Sequence, residues 1–132
     1  MKQNRGYPQL TVTKRAEHSI IKGHPWANSN SKIRVRLISR NANDRFDDAF
    51  FERRLRYAID YRRTVMGEDF SNCRLIFGEA DGLPGVTVDR FEDVLVAQIL
   101  SCGMEQRKDV LYRALVSQLE GMGVAIRGIY ER

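Results

Sequence analysis

Arg74-Leu75-Ile76-Phe77-Gly78-Glu79-Ala80-Asp81-Gly82-Leu83-Pro84-Gly85-Val86-Thr87-Val88-Asp89-Arg90 is the stretch whose reading decides the fold. Residues 73–77, apolar but for Arg74, are suited to a strand. Residues 78–85 concentrate three glycines and a proline, the residues that turns require, so the chain must reverse there. Residues 86–90 form a second strand, and Glu92-Asp93 a tight turn. Residues 94–100 are nearly all apolar, so this third strand is expected at the centre of the sheet and buried on both faces. A helix is predicted over 104–122, with Leu111, Leu115, Gln118, Leu119 and Met122 along one stripe, stopped by Gly121 and Gly123. Residues 125–130 make a last strand. The order β-β-β-α-β gives an α+β domain, with an antiparallel or mixed sheet and helices on one face.

Upstream, Phe46, Phe50, Phe51, Leu55, Ala58, Ile59 and Val65 recur at mostly helical spacing, and Asp47 or Asp48 suits the helix start. Gly67 ends that helix. Arg53, Arg56, Asp60 and Arg63 share its opposite face, where Arg56 with Asp60 and Asp60 with Arg63 can pair. Part of this arginine run is therefore read as a solvated face and discounted as a binding site. Further upstream, residues 10–14 alternate apolar and polar and read as a strand. Residues 16–22 suit a short helix stopped by Gly23, and residues 24–31 a loop. Residues 32–40 read as a strand with Ile33, Val35 and Leu37 on one face and Lys32, Arg34 and Arg36 on the other.

The 132 residues suit one domain with at most a small appendage. The apolar fraction of 42% and the charged fraction of 30% are those of a folded globular chain, not a disordered one. No run approaches the roughly 18 apolar residues of a membrane span. The start lacks the apolar core of a secretory signal, so a cytoplasmic location without membrane contact is expected. The net charge of +5 is uneven. Residues 1–63 hold 15 Lys/Arg against 6 Asp/Glu, and residues 64–132 hold 7 against 11, or +9 and −4. Arginine outnumbers lysine 17 to 5, and arginine binds phosphate bidentately and stacks on bases. Both features favour a nucleic-acid partner contacted mainly by the first 40 or so residues.

Catalytic motifs do not appear. There is no GxGxxG opening a helix and no GxxxxGK[ST]. The Gly82–Gly85 turn is approached by Glu79 and Asp81, which would repel phosphate, and it leads into a strand. Glu79, Asp81 and Asp89 are too few and too separated for a cation site, so the turn is read as structural. His18 and His24 lack metal-ligand spacing with a cysteine, so no metal site is expected. Cys73 and Cys102, 29 residues apart, are read as buried small residues in strands. No nucleophile–base set stands out.

The central run, continued by Gln98-Ile99-Leu100-Ser101 and Gly128-Ile129-Tyr130-Glu131-Arg132, resembles the central segment of bacterial class I SAM-dependent rRNA large-subunit cytosine-5 methyltransferases. Lys22-Gly23-His24-Pro25-Trp26 resembles the opening of their amino-terminal PUA domain, an RNA-binding β-barrel. Residues 33–40 resemble its closing strand, and residues 50–55 the helix that follows. Two departures accompany the resemblance. Only residues 27–32 separate segments that the family spaces by several dozen residues, so the barrel interior is missing. The chain also reaches Arg132 where the family's Rossmann-like catalytic domain would begin.

The resemblance implies three parts: a truncated PUA-like segment over 1–40, a connecting helix over 41–66 and a central α+β domain over 67–132. It implies a non-catalytic, RNA-binding, substrate-presenting part of a 23S rRNA methyltransferase, inactive alone. SAM belongs to the full-length family, and no cofactor is expected on this chain. Lys14, Arg15, Lys22, Lys32, Arg34, Arg36 and Arg40 are the expected phosphate contacts. His24 and Trp26 can stack on a base, although Trp26 also suits an anchor beneath the strands. The alternative is a self-association module, because removing the barrel interior leaves residues 10–14 and 33–39 as strand edges that a second copy could pair with.

Overall fold

The structure is a computed structural model. It describes the backbone of residues 12–16, 19–27, 35–41 and 43–132, and the side chains of residues 38–41 and 43–132. The chain divides into two compact units, Met1–Arg45 and Phe46–Arg132.

In the first unit three strands, β1 (Val12–Ala16), β2 (Ser19–Ala27) and β3 (Val35–Ser39), form an antiparallel sheet in that order. β1 and β2 make a hairpin in which Ala16 pairs with Ser19 and Val12 with Gly23. Of the helix expected over 16–22, Ala16 instead ends β1 and residues 19–22 lie in β2; of the loop expected over 24–31, residues 24–27 lie in β2 and residues 28–31 lie outside the described residues. Ile20 and Ile21 are β-branched and pair with Arg15 and Lys14, so ladder pairing overrides the weak helical signal. Pro25 sits where the β2–β3 register slips between His24 and Pro25. A residue without an N–H is tolerated at such a bulge, so proline did not mark a loop here. After β3, buried Ser39 donates its hydroxyl to Asp44 and accepts the N–H of Asn41 at 3.0 Å, which shapes the polar turn.

The second unit opens with helix α1 (Asp48–Met66). The Asp47 carboxylate accepts the Phe50 N–H at 2.9 Å, a cap whose loss would cost about 1 kcal/mol. At the other end Gly67 takes φ 54 and returns its N–H to Arg63. Phe50, Phe51, Leu55, Ala58 and Ile59 are buried, but Val65, expected on the same stripe, is exposed. Four strands follow in spatial order, β4 (Asn72–Phe77), β5 (Val86–Phe91), β6 (Val94–Ile99) and β7 (Gly128–Glu131). The first three run antiparallel, and β7 is parallel to β6. A parallel neighbour requires a crossover. Helices α2 (Cys102–Glu105) and α3 (Lys108–Gly121) supply it, which makes the sheet mixed.

The single helix expected over 104–122 is therefore two, broken at Gln106–Arg107, where Arg107 leaves helical geometry with ψ 7. Leu111, Leu115 and Leu119 form the buried stripe of α3. Gly123, at φ 83, ends it, and the Val124 N–H returns to Leu119.

Val86, Val88 and Arg90 of β5, with Leu95 and Ala97 of β6, are buried on one sheet face, and α1 packs on β4 and on α3. A bulge between Arg74 and Ile76 lets consecutive Leu75 and Ile76 both turn inward. β6 is interior in the sheet, but Val94, Val96 and Gln98 are only half-buried. The expectation of burial on both faces fails because, among the described residues, no helix covers the second face.

The Gly78–Gly85 run forms the expected turn. Gly78–Asp81 makes a 3₁₀ turn, and Asp81 accepts the Phe77 N–H at 2.6 Å. Gly85, at φ 78, lies against Ser101, whose hydroxyl donates to the Pro84 carbonyl at 2.7 Å. Leu83 and Pro84 are buried beneath.

Candidate nucleic-acid interface

The expected RNA contacts fall mostly where only the backbone is described. Lys14 and Arg15 lie in β1, Lys22, His24 and Trp26 in β2, and Arg36 in β3. Lys32 and Arg34 lie outside the described residues. The ladder makes Trp26 and Arg36 register partners and sets Lys22 across from Thr13. Arg40, just after β3, is exposed.

In the second unit Arg53, Arg56, Asp60 and Arg63 of α1 form an exposed face, as expected, but without the expected pairs. Neither Arg56 nor Arg63 pairs with Asp60 among the described residues; Asp60 instead accepts from Gln118 Nε2 at 3.3 Å, across on α3. Arg56 lies over the Tyr57 ring at 5.7 Å, and Arg62 over the Tyr61 ring at 5.8 Å. Arg62 also meets the Asp81 carboxylate at 3.4 Å. Arg54 lies over Phe50 at 4.7 Å and donates to the Gly82 carbonyl at 2.9 Å, which ties α1 to the turn.

These contacts build a cleft of about 560 Å³ lined by Arg54, Tyr57, Tyr61 and Arg62 of α1 with Phe77 and Asp81. Tyr57, Tyr61 and Phe77 are 63%, 59% and 51% exposed. The apolar pattern of α1 had passed over the two tyrosines. Their spacing of four residues on a polar face already flanked by arginine was the signal available. A second groove, of about 460 Å³, lies between α1 and α3, but Asp48 and Glu52 beside Arg56 and Arg113 give it mixed charge.

The open sheet face carries an ion network. Arg74 pairs with Asp89 at 2.7 Å, and Arg132 reaches the same carboxylate at 3.1 Å. The hydrogen bond from Arg74 holds the Asp89 carboxyl below the usual range. Tyr112 donates to Glu131 at 2.7 Å; burial and then that bond push its hydroxyl pKa well up, so it stays protonated. Arg90 is 6% exposed and spans the Phe70 and Glu92 carbonyls at 3.0 and 2.7 Å, a purely structural use of arginine.

The cysteine reading is corrected on two counts. Cys102 is exposed at the start of α2, not buried in a strand, and Cys73 in β4 is only half-buried. Burial raises the Cys73 thiol pKa, which disfavours the thiolate.

Among the described residues no helix is long and apolar enough to cross a membrane. No protein-family model matches the chain. A ribosomal RNA large subunit methyltransferase I of Klebsiella pneumoniae is 34% identical over 143 aligned positions, which cover 83% of this chain and 36% of the relative. The chain thus spans about a third of the length of the curated relatives it matches. A solved Streptococcus mutans chain described as a SAM-dependent methyltransferase superposes with a TM-score of 0.72 at 18% identity, over 94% of this chain and 32% of that one. A second solved chain, a methyltransferase complexed with SAH, has a TM-score of 0.72 at 18% identity over 93% of this chain and 31% of its own length. The chain is therefore a homologue, over about a third of their length, of proteins named ribosomal RNA large subunit methyltransferase I, and its α+β fold is that of a portion of SAM-dependent methyltransferase chains.

Proposed function

We propose that this chain serves as a non-catalytic, RNA-binding and substrate-presenting part of a SAM-dependent 23S rRNA cytosine-5 methyltransferase. The observation that carries the reading is the 34% identity spread over 83% of the chain to relatives named as rRNA methyltransferases. The arginine-rich +9 half supports RNA as the partner. The alignment also fits a shortened barrel: 83% of 132 residues is about 110, against 143 aligned positions, so roughly thirty positions face gaps on this side.

The described residues do not fit SAM. The only glycine-dense turn among them leads into β5 rather than a helix, Gly85 is closed off by Ser101, and a side chain at Gly82 would meet the Arg54 guanidinium. Cofactor binding and chemistry are therefore assigned to the portion of the relatives this chain does not span. Incubated with labelled SAM and unmodified 23S rRNA, the chain should retard the RNA in a gel yet transfer no methyl group. Methyl transfer by the chain alone would overturn the reading.

The β1-β2-β3 order favours one further reading, self-association. β1 and β3 are the edges of that sheet among the described residues, and such edges accept a strand from a second copy. A mass that doubles with concentration in light scattering supports it, and a constant monomer mass rejects it.

A further inference from the structure

We propose that the cleft between α1 and the end of β4, walled by Tyr57, Tyr61 and Phe77, holds an unpaired base of single-stranded RNA. The inference rests on the RNA-binding reading and locates a contact that the basic arm alone does not provide.

Isolated exposed apolar residues are ordinary on a protein surface. Three aromatic rings, each more than half exposed and bordering one cleft, are a different observation. Tyr57 and Tyr61 stand four residues apart on α1, so their side chains rise side by side from one helix face. Phe77 closes the cleft from the strand end, and Arg74 lies over its ring at 5.4 Å.

The guanidiniums at 5.7 and 5.8 Å from the tyrosine rings orient aromatic surfaces for stacking, and a base can continue a guanidinium–aromatic stack. The cleft volume of about 560 Å³ falls within the range of small-ligand sites. The one carboxylate lining it, Asp81, is already engaged by Arg62 and the Phe77 N–H, so it does not present a bare negative charge to a polyanion. Arg54 and Arg62 line the cleft beside the rings, so the phosphates flanking a base held there would lie near positive charge. An aromatic platform bordered by the Arg54 and Arg62 guanidiniums fits a nucleotide better than an apolar peptide.

The test uses the whole chain, a fluorescent single-stranded 12-mer and the same sequence as a duplex. In anisotropy titrations, the double substitution Tyr57→Ala with Tyr61→Ala should weaken single-strand binding by about 10-fold or more. The slope of affinity against salt should stay unchanged, since no charge is removed. Tyr57→Phe with Tyr61→Phe should keep affinity within about two-fold, because stacking needs the ring and not the hydroxyl. Both tyrosines are exposed, and circular dichroism checks that the variants fold. Photo-crosslinking with 4-thiouridine RNA should label Tyr57, Tyr61 or Phe77.

Wild-type binding that the alanine pair leaves intact, without crosslinks in the cleft, overturns the cleft assignment and spares the RNA reading. A loss equal for single strand and duplex also overturns it. Absence of wild-type RNA binding at low salt overturns both.

Discussion

Phe51→Ala is expected to lower the unfolding free energy by about 3–5 kcal/mol. Phe51 is 0% exposed, at the heart of the second unit. Its ring meets Phe50 edge-on at 5.1 Å, and the Arg107 guanidinium lies over it at 5.1 Å. Arg107 also donates to the Phe46 carbonyl at 2.7 Å and reaches Asp48 at 3.5 Å. Removing the ring therefore opens a cavity and loosens the residue that joins the α2–α3 break to the start of α1. Against a total stability of about 5–15 kcal/mol, such a loss leaves a small unit close to unfolding. Urea denaturation followed by circular dichroism measures it. A loss below about 1 kcal/mol would mean that α1 does not pack as described.

Gly85→Val is the second large effect, expected at about 2–4 kcal/mol. Two costs coincide there. The backbone at φ 78 lies in the left-handed region that a β-branched residue resists. A Cβ would also stand 2.8 Å from the Ser101 nitrogen, a backbone atom that cannot swing aside. Relieving that contact would pull Ser101 from the Pro84 carbonyl and break the Leu100-to-Gly85 hydrogen bond at 2.8 Å. Gly121→Ala is the control, because nothing lies within 4 Å of its Cβ position. The first variant should melt well below wild type and the second should not. Equal melting temperatures would place the constraint on this turn elsewhere.

The second unit was largely legible because its signals agree at every level. Glycine and proline mark the turn, alternation marks β5, and Asp47 marks the start of α1. The break between α2 and α3 was hidden: neither Gln106 nor Arg107 is a helix breaker, and at the interruption Arg107 lies over the Phe51 ring and donates to the Phe46 carbonyl. β2 was hidden for the opposite reason. Pro25 is a strong local breaker that the sheet accommodates at a bulge, while the Ile20-Ile21 pair finds partners only once β1 folds back.

The aromatic cleft was missed through a local electrostatic assumption. Spacing of three and four residues made Asp60 the natural partner of Arg56 and Arg63, but Asp60 turns to Gln118 on a helix 58 residues further along. Helical wheels cannot register such a long-range competitor, so the arginines appeared neutralised and the tyrosines between them went unread. The register partnership of Trp26 and Arg36 is equally out of reach of local signals, because Pro25 and the following Asn and Ser residues favour a loop.

The proposed RNA-binding role is tested most directly by titrating the chain's binding to a 23S rRNA fragment across a range of salt concentrations. Log affinity should fall linearly with log salt, with a slope of about −0.7 per single-strand phosphate contacted. Changing Lys32, Arg34 and Arg36 together to alanine should flatten the slope by about 2–3. Binding undetectable at low salt, or a slope that the triple substitution leaves unmoved, would contradict the account.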